Sequence, residues 1–189
     1  MSEFINRVGE RYLNNQGHWL TIVVCRRSKD CDIQFDNGCI IKNVTYDHIK
    51  NGHIKNPYHK SLLGVGFIGE GKYKAPFKGK EAEMHKSWQG ALDRCYRNKK
   101  EDKYPAYAKS IVAEEWHCFQ NFAEWADKNY NSDTMKGWEL DKDILIKGNK
   151  SYSSETCCFV PREINILFVK ADSIRGKYPI GVRKHGKRF

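Results

Sequence analysis

Asp141, Lys142 and Asp143 stand in a row at the end of a run that reads as a β-strand. The amide Asn165 lies further on, in a run that reads as a helix. Carboxylate and amide oxygens are hard donors of the kind Mg²⁺ or Mn²⁺ takes. A divalent ion held by such groups can act as a Lewis acid while a neighbouring side chain orients water. A hairpin followed by a helix can gather these groups, some from the end of its first strand and some from the helix face.

The elements that must position them are legible in residues 138–168, W-E-L-D-K-D-I-L-I-K-G-N-K-S-Y-S-S-E-T-C-C-F-V-P-R-E-I-N-I-L-F. Leu140, Ile144 and Ile146 stand among charged neighbours as in a strand, and Gly148-Asn149 is a turn signal. Residues 157–160 form a short apolar run that suits a second strand. Pro161 falls where a first helical residue tolerates a missing N–H. Ile164, Leu167 and Phe168 then recur at helical spacing and predict one apolar face.

The ordered string L-D-K-D-I…N-K-x-Y-S-x-E-T-C-x-F-V-P-x-E-I-N resembles the ββα-metal motif of phage-type HNH endonucleases. The upstream E-E-W-x-x-F-x-x-F-A-x-W, Glu114 to Trp125, is similar to the helix that precedes that motif; together the resemblance covers residues 84–168. It implies Asp141 and Asn165 as metal ligands. Lys142 stands where the family carries its histidine base, and the family's middle asparagine falls on Thr156. A lysine acts as base only with a lowered pKa, which needs burial or positive neighbours. Asp143 is the substitute that could orient a water, and His85 or His117 is a further stand-in if the fold brings it close. The remaining alternative is an inactive site whose hairpin survives as scaffold.

The 189 residues carry a formal charge of +10, and 40% of them are hydrophobic. That is enough for one good core or two small ones, and the charge fits a polyanionic partner, DNA or RNA foremost. No apolar run approaches a membrane span. The N-terminus lacks a signal-peptide pattern, and seven cysteines without a framework suit reduced thiols, so a cytoplasmic location in a bacterial host is expected. Three segments follow: a small β-rich module expected to bind nucleic acid at 1–63, an HNH-like domain at 64–170, and a basic tail at 171–189. The fold class expected is α+β, with an antiparallel β module, then helices packed on a ββα hairpin.

In the first segment Asn14-Asn15-Gln16-Gly17 breaks the chain after an amphipathic opening. Residues 19–27, 31–36 and 39–44 then read as a three-stranded meander turning at Asn37-Gly38. Tyr46, Ile49 and Ile54 would cover it from a short helix. The string N-N-x-G…D-I-x-F-D-N-G…Y-x-x-I-K-x-G-x-I-K-N-P resembles a small β module found ahead of HNH-like and AP2-like segments, which implies nucleic-acid binding. Arg26, Arg27, Lys29, Lys42, Lys50 and Lys55 are its phosphate-contact candidates, set against a merely solvated face. His48, His53 and His59 match no zinc spacing. Cys25, Cys31 and Cys39 read as core thiols, and a zinc site from Cys95, Cys118, Cys157 and Cys158 lacks a C-x-x-C pair.

Residues 64–73, G-V-G-F-I-G-E-G-K-Y, are glycine-rich without being a phosphate-binding fingerprint. They read as a connector entering a strand pair with its tip at 78–80. Met84, Trp88, Ala91, Leu92 and Cys95, and then Phe119, Phe122, Ala123 and Ala126, form helical apolar stripes assigned to core. Residues 170–189 hold seven Lys/Arg against one acid, net +6. R-G-K-Y-P-I-G-V-R-K-H-G-K-R-F resembles the opening of an AP2-like DNA-binding domain, which implies DNA contacts from Arg175, Lys177, Arg183, Lys184, Lys187 and Arg188. One such strand cannot fold alone.

Two functions stand. The first is an HNH-like DNA endonuclease or nickase using Mg²⁺ or Mn²⁺ and no organic cofactor. The second is a non-catalytic DNA-binding relative, or a phage-encoded inhibitor of a host nucleic-acid-binding defence complex.

Overall fold

A computed structural model describes residues 5–97 and 109–168. It is a mixed α/β structure, an N-terminal antiparallel sheet followed by helices. The sheet is a four-stranded meander in sequence order: β1 (Arg11–Leu13), β2 (Trp19–Arg27), β3 (Asp30–Phe35) and β4 (Ile40–Val44). The opening segment thus supplies a fourth strand to the three expected. Its side-chain alternation alone is too short to reveal β1, which exists because Tyr12 and its neighbours find β2 as a partner.

Leu20 pairs with Phe35 and Ile22 with Ile33, all buried on one face. A register shift between Ile22 and Val24 then changes the pairing, and Val24, which strict alternation would bury, is exposed. The β3–β4 turn needs Gly38 at φ +89°, and the Asn37 side chain accepts from the Cys39 N–H. The helix α1 (Tyr46–Lys50) is capped by Thr45, whose hydroxyl accepts from the His48 N–H, and Ile49 closes the core from above.

A second core begins with Leu62 and Leu63 packed at its edge. The expected strand pair between 64 and 80 is replaced by turns and isolated bridges, Leu62 with Gly66 and Phe67 with Cys118. Lys80 starts a helix instead of ending a hairpin tip. Glycines at this density leave too few side chains to zip two strands.

The long helix α2 (Lys80–Tyr96) buries Met84, Trp88, Ala91, Leu92 and Cys95, the stripe expected from its spacing. α3 (Phe119–Asn129) buries Phe119, Phe122, Ala123 and Ala126, and is entered by a 3-10 turn at Glu114–His117. Trp88 Nε1 donates to the Trp116 carbonyl at 2.7 Å, so even the indole N–H is satisfied inside the core. Two small strand pairs sit against these helices. β5 (Ile111–Val112) runs parallel to β7 (Ser151–Tyr152), and β6 (Glu139–Asp141) runs antiparallel to β8 (Cys158–Val160). Trp125 stacks on Phe159 at 5.5 Å and Tyr130 lies 4.9 Å from the same ring, which fastens the β6–β8 pair to α3.

α4 (Arg162–Phe168) follows β8. Pro161 lies just outside it and accepts its first bond, from the Asn165 N–H at 3.0 Å. The apolar face expected on this helix is not buried: Ile164, Ile166 and Leu167 are exposed. Ile144 and Ile146 also lie outside any strand, because β6 ends at Asp141 and residues 142–148 turn back.

Candidate functional site

β6 points Leu140 inward and leaves Glu139 and Asp141 together on its other face. Asp141 ends the strand by capping the turn that follows. Its Oδ1 accepts the backbone N–H of Asp143 at 2.7 Å and of Ile144 at 2.8 Å. Lys142 points the opposite way and is only 2% exposed. Its Nζ donates to Asp143 Oδ2 at 2.6 Å and to the Asn149 carbonyl at 2.9 Å, with the Tyr152 ring 5.8 Å away. Asn149 answers by donating Nδ2 to the carbonyls of Lys142 and Ser151. The loop 142–149 is therefore tied across its neck in both directions.

Thr156 is engaged below this neck: its hydroxyl donates to the Ser151 carbonyl at 2.7 Å and accepts from the Ser153 N–H. From α4, Asn165 Nδ2 donates to Glu139 Oε2 at 2.7 Å, and Arg162 Nε lies 3.8 Å from the same carboxylate. The helix thus does meet the outward face of β6, through Glu139, a residue that the sequence comparison passed over. Acidic character two places before Asp141 on the same strand face was the signal available for it.

As metal donors, Asp141 and Asn165 offer the hard oxygens that Mg²⁺ prefers, yet Asp141 Oδ1 is already spent on two N–H groups. No group of three or more His, Cys, Asp or Glu gathers around one point among the described residues. The histidine stand-ins are occupied elsewhere. His85 is enclosed by Phe77, Trp88 and Phe119, and burial pushes its pKa down. His117 Nε2 lies 3.1 Å from the Tyr96 hydroxyl.

The basic candidates separate by their partners. Arg26 is paired to Asp30 at 3.0 Å and, through both terminal nitrogens, to the buried Asp32. That guanidinium holds the Asp32 carboxyl below its ordinary range, helped by the Asn43 N–H. Arg26 is therefore a structural cation, and Arg27 beside it ends the same strand. Lys42 and Lys55 are exposed and line one open groove of about 720 Å³ together with Lys74, which sequence reasoning did not single out. The tail candidates Arg175, Lys177, Arg183, Lys184, Lys187 and Arg188 lie outside the described residues.

Among family models, curated proteins and solved structures, none matches this chain. Its chemistry is therefore argued from its own geometry.

The histidines pair rather than cluster. His18 Nε2 lies 2.9 Å from His59 Nδ1, and the rings of His48 and His53 are 5.9 Å apart. All seven cysteines are free thiols. Cys31 and Cys39 are buried as expected, and Cys25 Sγ lies 3.1 Å from Cys31 Sγ across β2 and β3. No helix among the described residues is long and apolar enough to cross a membrane.

Proposed function

We propose that this protein binds nucleic acid without cutting it, using a hairpin that resembles the HNH nuclease motif as a scaffold. The observation that carries this reading is Lys142. At the position where the resemblance asks for a base that opens to solvent and substrate, the side chain is buried, and two acceptors surround its ammonium. A general base must present a lone pair within reach of the proton it takes; here Nζ is a donor on both sides. The +10 charge supplies the attraction for phosphate.

The test pairs two assays on the purified full chain. Supercoiled plasmid with Mg²⁺ or Mn²⁺ is expected to stay uncut. Binding to DNA is expected to weaken steeply as salt rises, because each Lys or Arg contact releases counterions. Nicking that disappears in Asp141→Ala would overturn the non-catalytic reading. Salt-insensitive capture of a protein, with no DNA binding, would favour the inhibitor of a nucleic-acid-binding complex.

A second reading, the metal-dependent nuclease, is favoured by one contact. Asn165 reaches from α4 to Glu139, on the strand face that also carries Asp141. These are the elements from which such a site would draw its oxygens, with Asp143 in place of the absent histidine.

A further inference from the structure

The groove that holds Lys42 and Lys55 is bounded by β4 on one side, by residues 55–61 on a second, and by the connector 68–75 on the third. It thus joins the N-terminal sheet to the start of the second core. The connector is held in place there: Gly69 N donates to the Pro57 carbonyl at 3.0 Å, and Tyr58 donates its hydroxyl to Glu70 at 3.1 Å. Further along, the Tyr73 N–H and carbonyl are both bonded to the buried Gln120 side chain, at 3.2 and 2.8 Å. The walls are therefore fixed by backbone and buried amide contacts rather than by the cations on the rim.

Those cations are not spent on partners within the fold, a property they share with other surface lysines such as Lys86 and Lys136; what sets them apart is that they share one groove. Lys72 and Lys80, close in sequence, are both spent on Asp127, and Arg26 is spent on Asp30 and Asp32. Lys42, Lys55 and Lys74 are exposed and make no ion pair or hydrogen bond among the described residues. Against them stands one lining carboxylate, Glu70, already accepting from Tyr58. Between the lysines the lining turns apolar, with Ile40, Ile41, Pro57, Ile68 and Ala75.

We infer that this groove holds a short stretch of single-stranded nucleic acid, its phosphates on Lys42, Lys55 and Lys74 and its bases over the apolar floor. A duplex is a convex rod, which a concavity of this size cannot take in; a single strand can lay its backbone along a charged rim. Of the rings in the lining, Tyr73 is buried and offers no stacking face and His59 is engaged edge-on with His18, so contacts are to backbone and floor and base preference is weak. The inference rests on the nucleic-acid-binding function proposed above and assigns it a place and a strandedness.

The test measures fluorescence anisotropy of a labelled oligo-dT, and of a duplex of equal length, with the full chain in EDTA. Lys42→Gln/Lys55→Gln/Lys74→Gln is compared with wild type and with Lys86→Gln/Lys109→Gln/Lys136→Gln, which removes equal charge from exposed, unpaired sites outside the groove. The groove variant is expected to bind oligo-dT at least tenfold more weakly. Its salt slope should fall by about 2, three contacts at roughly 0.7 each, while the control stays within about threefold of wild type. Matching thermal melts exclude misfolding. Equal affinities of the two variants would overturn the groove and leave DNA binding standing. Tighter wild-type binding to duplex than to oligo-dT would overturn the strandedness. Failure of wild type to bind either probe would overturn the parent function as well.

Discussion

Lys142 and Asp143 are neighbours in sequence whose side chains meet, Nζ to Oδ2 at 2.6 Å, with the lysine buried and the aspartate half exposed. Lys142 therefore works as a cross-link. It brings a carboxylate and the Asn149 carbonyl to one point and covers its stem with the packing around Tyr152. Truncating one partner of a buried hydrogen-bonded charge leaves the others unsatisfied. Lys142→Ala is expected to lower unfolding stability by about 2 kcal/mol, and Lys142→Met, which keeps the stem, by less. Urea denaturation followed by tryptophan fluorescence checks both. An unchanged midpoint in Lys142→Ala would mean the cross-link contributes nothing.

Arg26 makes the opposite prediction for binding. Because its charge is committed to Asp30 and Asp32 within the sheet, Arg26→Ala should lower the denaturation midpoint while leaving DNA affinity within about twofold. Loss of affinity in a folded Arg26→Ala protein would return it to the binding surface.

Asp127 ties the start of the second core together. Lys80 and Lys72 donate to it, as does the Tyr73 hydroxyl, and the two lysines hold its pKa at about 2, below the ordinary 3.8. A carboxyl with a depressed folded pKa contributes stability above its unfolded pKa and loses it as pH falls through the folded one. Asp127→Asn is therefore expected to be less stable than wild type at neutral pH, with the gap closing between about pH 4 and pH 2. Its exposure makes the effect modest, and high salt should reduce it further. Denaturant midpoints taken across that pH range, at low and high salt, measure it. A constant gap would assign the effect to packing.

Gly69 forms the groove wall at φ +76°, and a Cβ there would come within 2.5 Å of Cys118 Sγ. Gly69→Ala combines left-handed backbone cost with a clash against Cys118, the residue that precedes α3, and is expected to cost about 2 kcal/mol. Calorimetry of this variant reads the loss. If it melts like wild type, the wall is softer than its geometry indicates.

Much of the fold was legible because local rules sufficed. The stripes of Met84, Trp88, Leu92 and Cys95 and of Phe119, Phe122 and Ala126 are buried as their 3.6-residue period requires. Asn37-Gly38 turns the sheet, and Ile49 covers it from the helix that spacing placed there. The elements that failed are those whose stability is not local. β1 is three residues long, and the 64–80 segment has glycine where a strand needs side chains. α4 carries an apolar stripe that no core element of the described residues covers.

The sequence by itself determined the charge, the buried stripes of α2 and α3, and the turn at Asn37-Gly38. Only tertiary structure decided which polar groups are already spent. Arg26 and Lys42 look alike in sequence, but β3 delivers Asp32 into a two-point ion pair with Arg26, whereas Lys42 feels that carboxylate only through space and makes no ion pair among the described residues. Lys142 and Asp143 read as a candidate base and its substitute, but the returning loop brings the Asn149 carbonyl onto Nζ and closes the pair. The reason is physical: residue type sets what a side chain can bond, and the residues brought against it from elsewhere in the chain set whether that bond is still available.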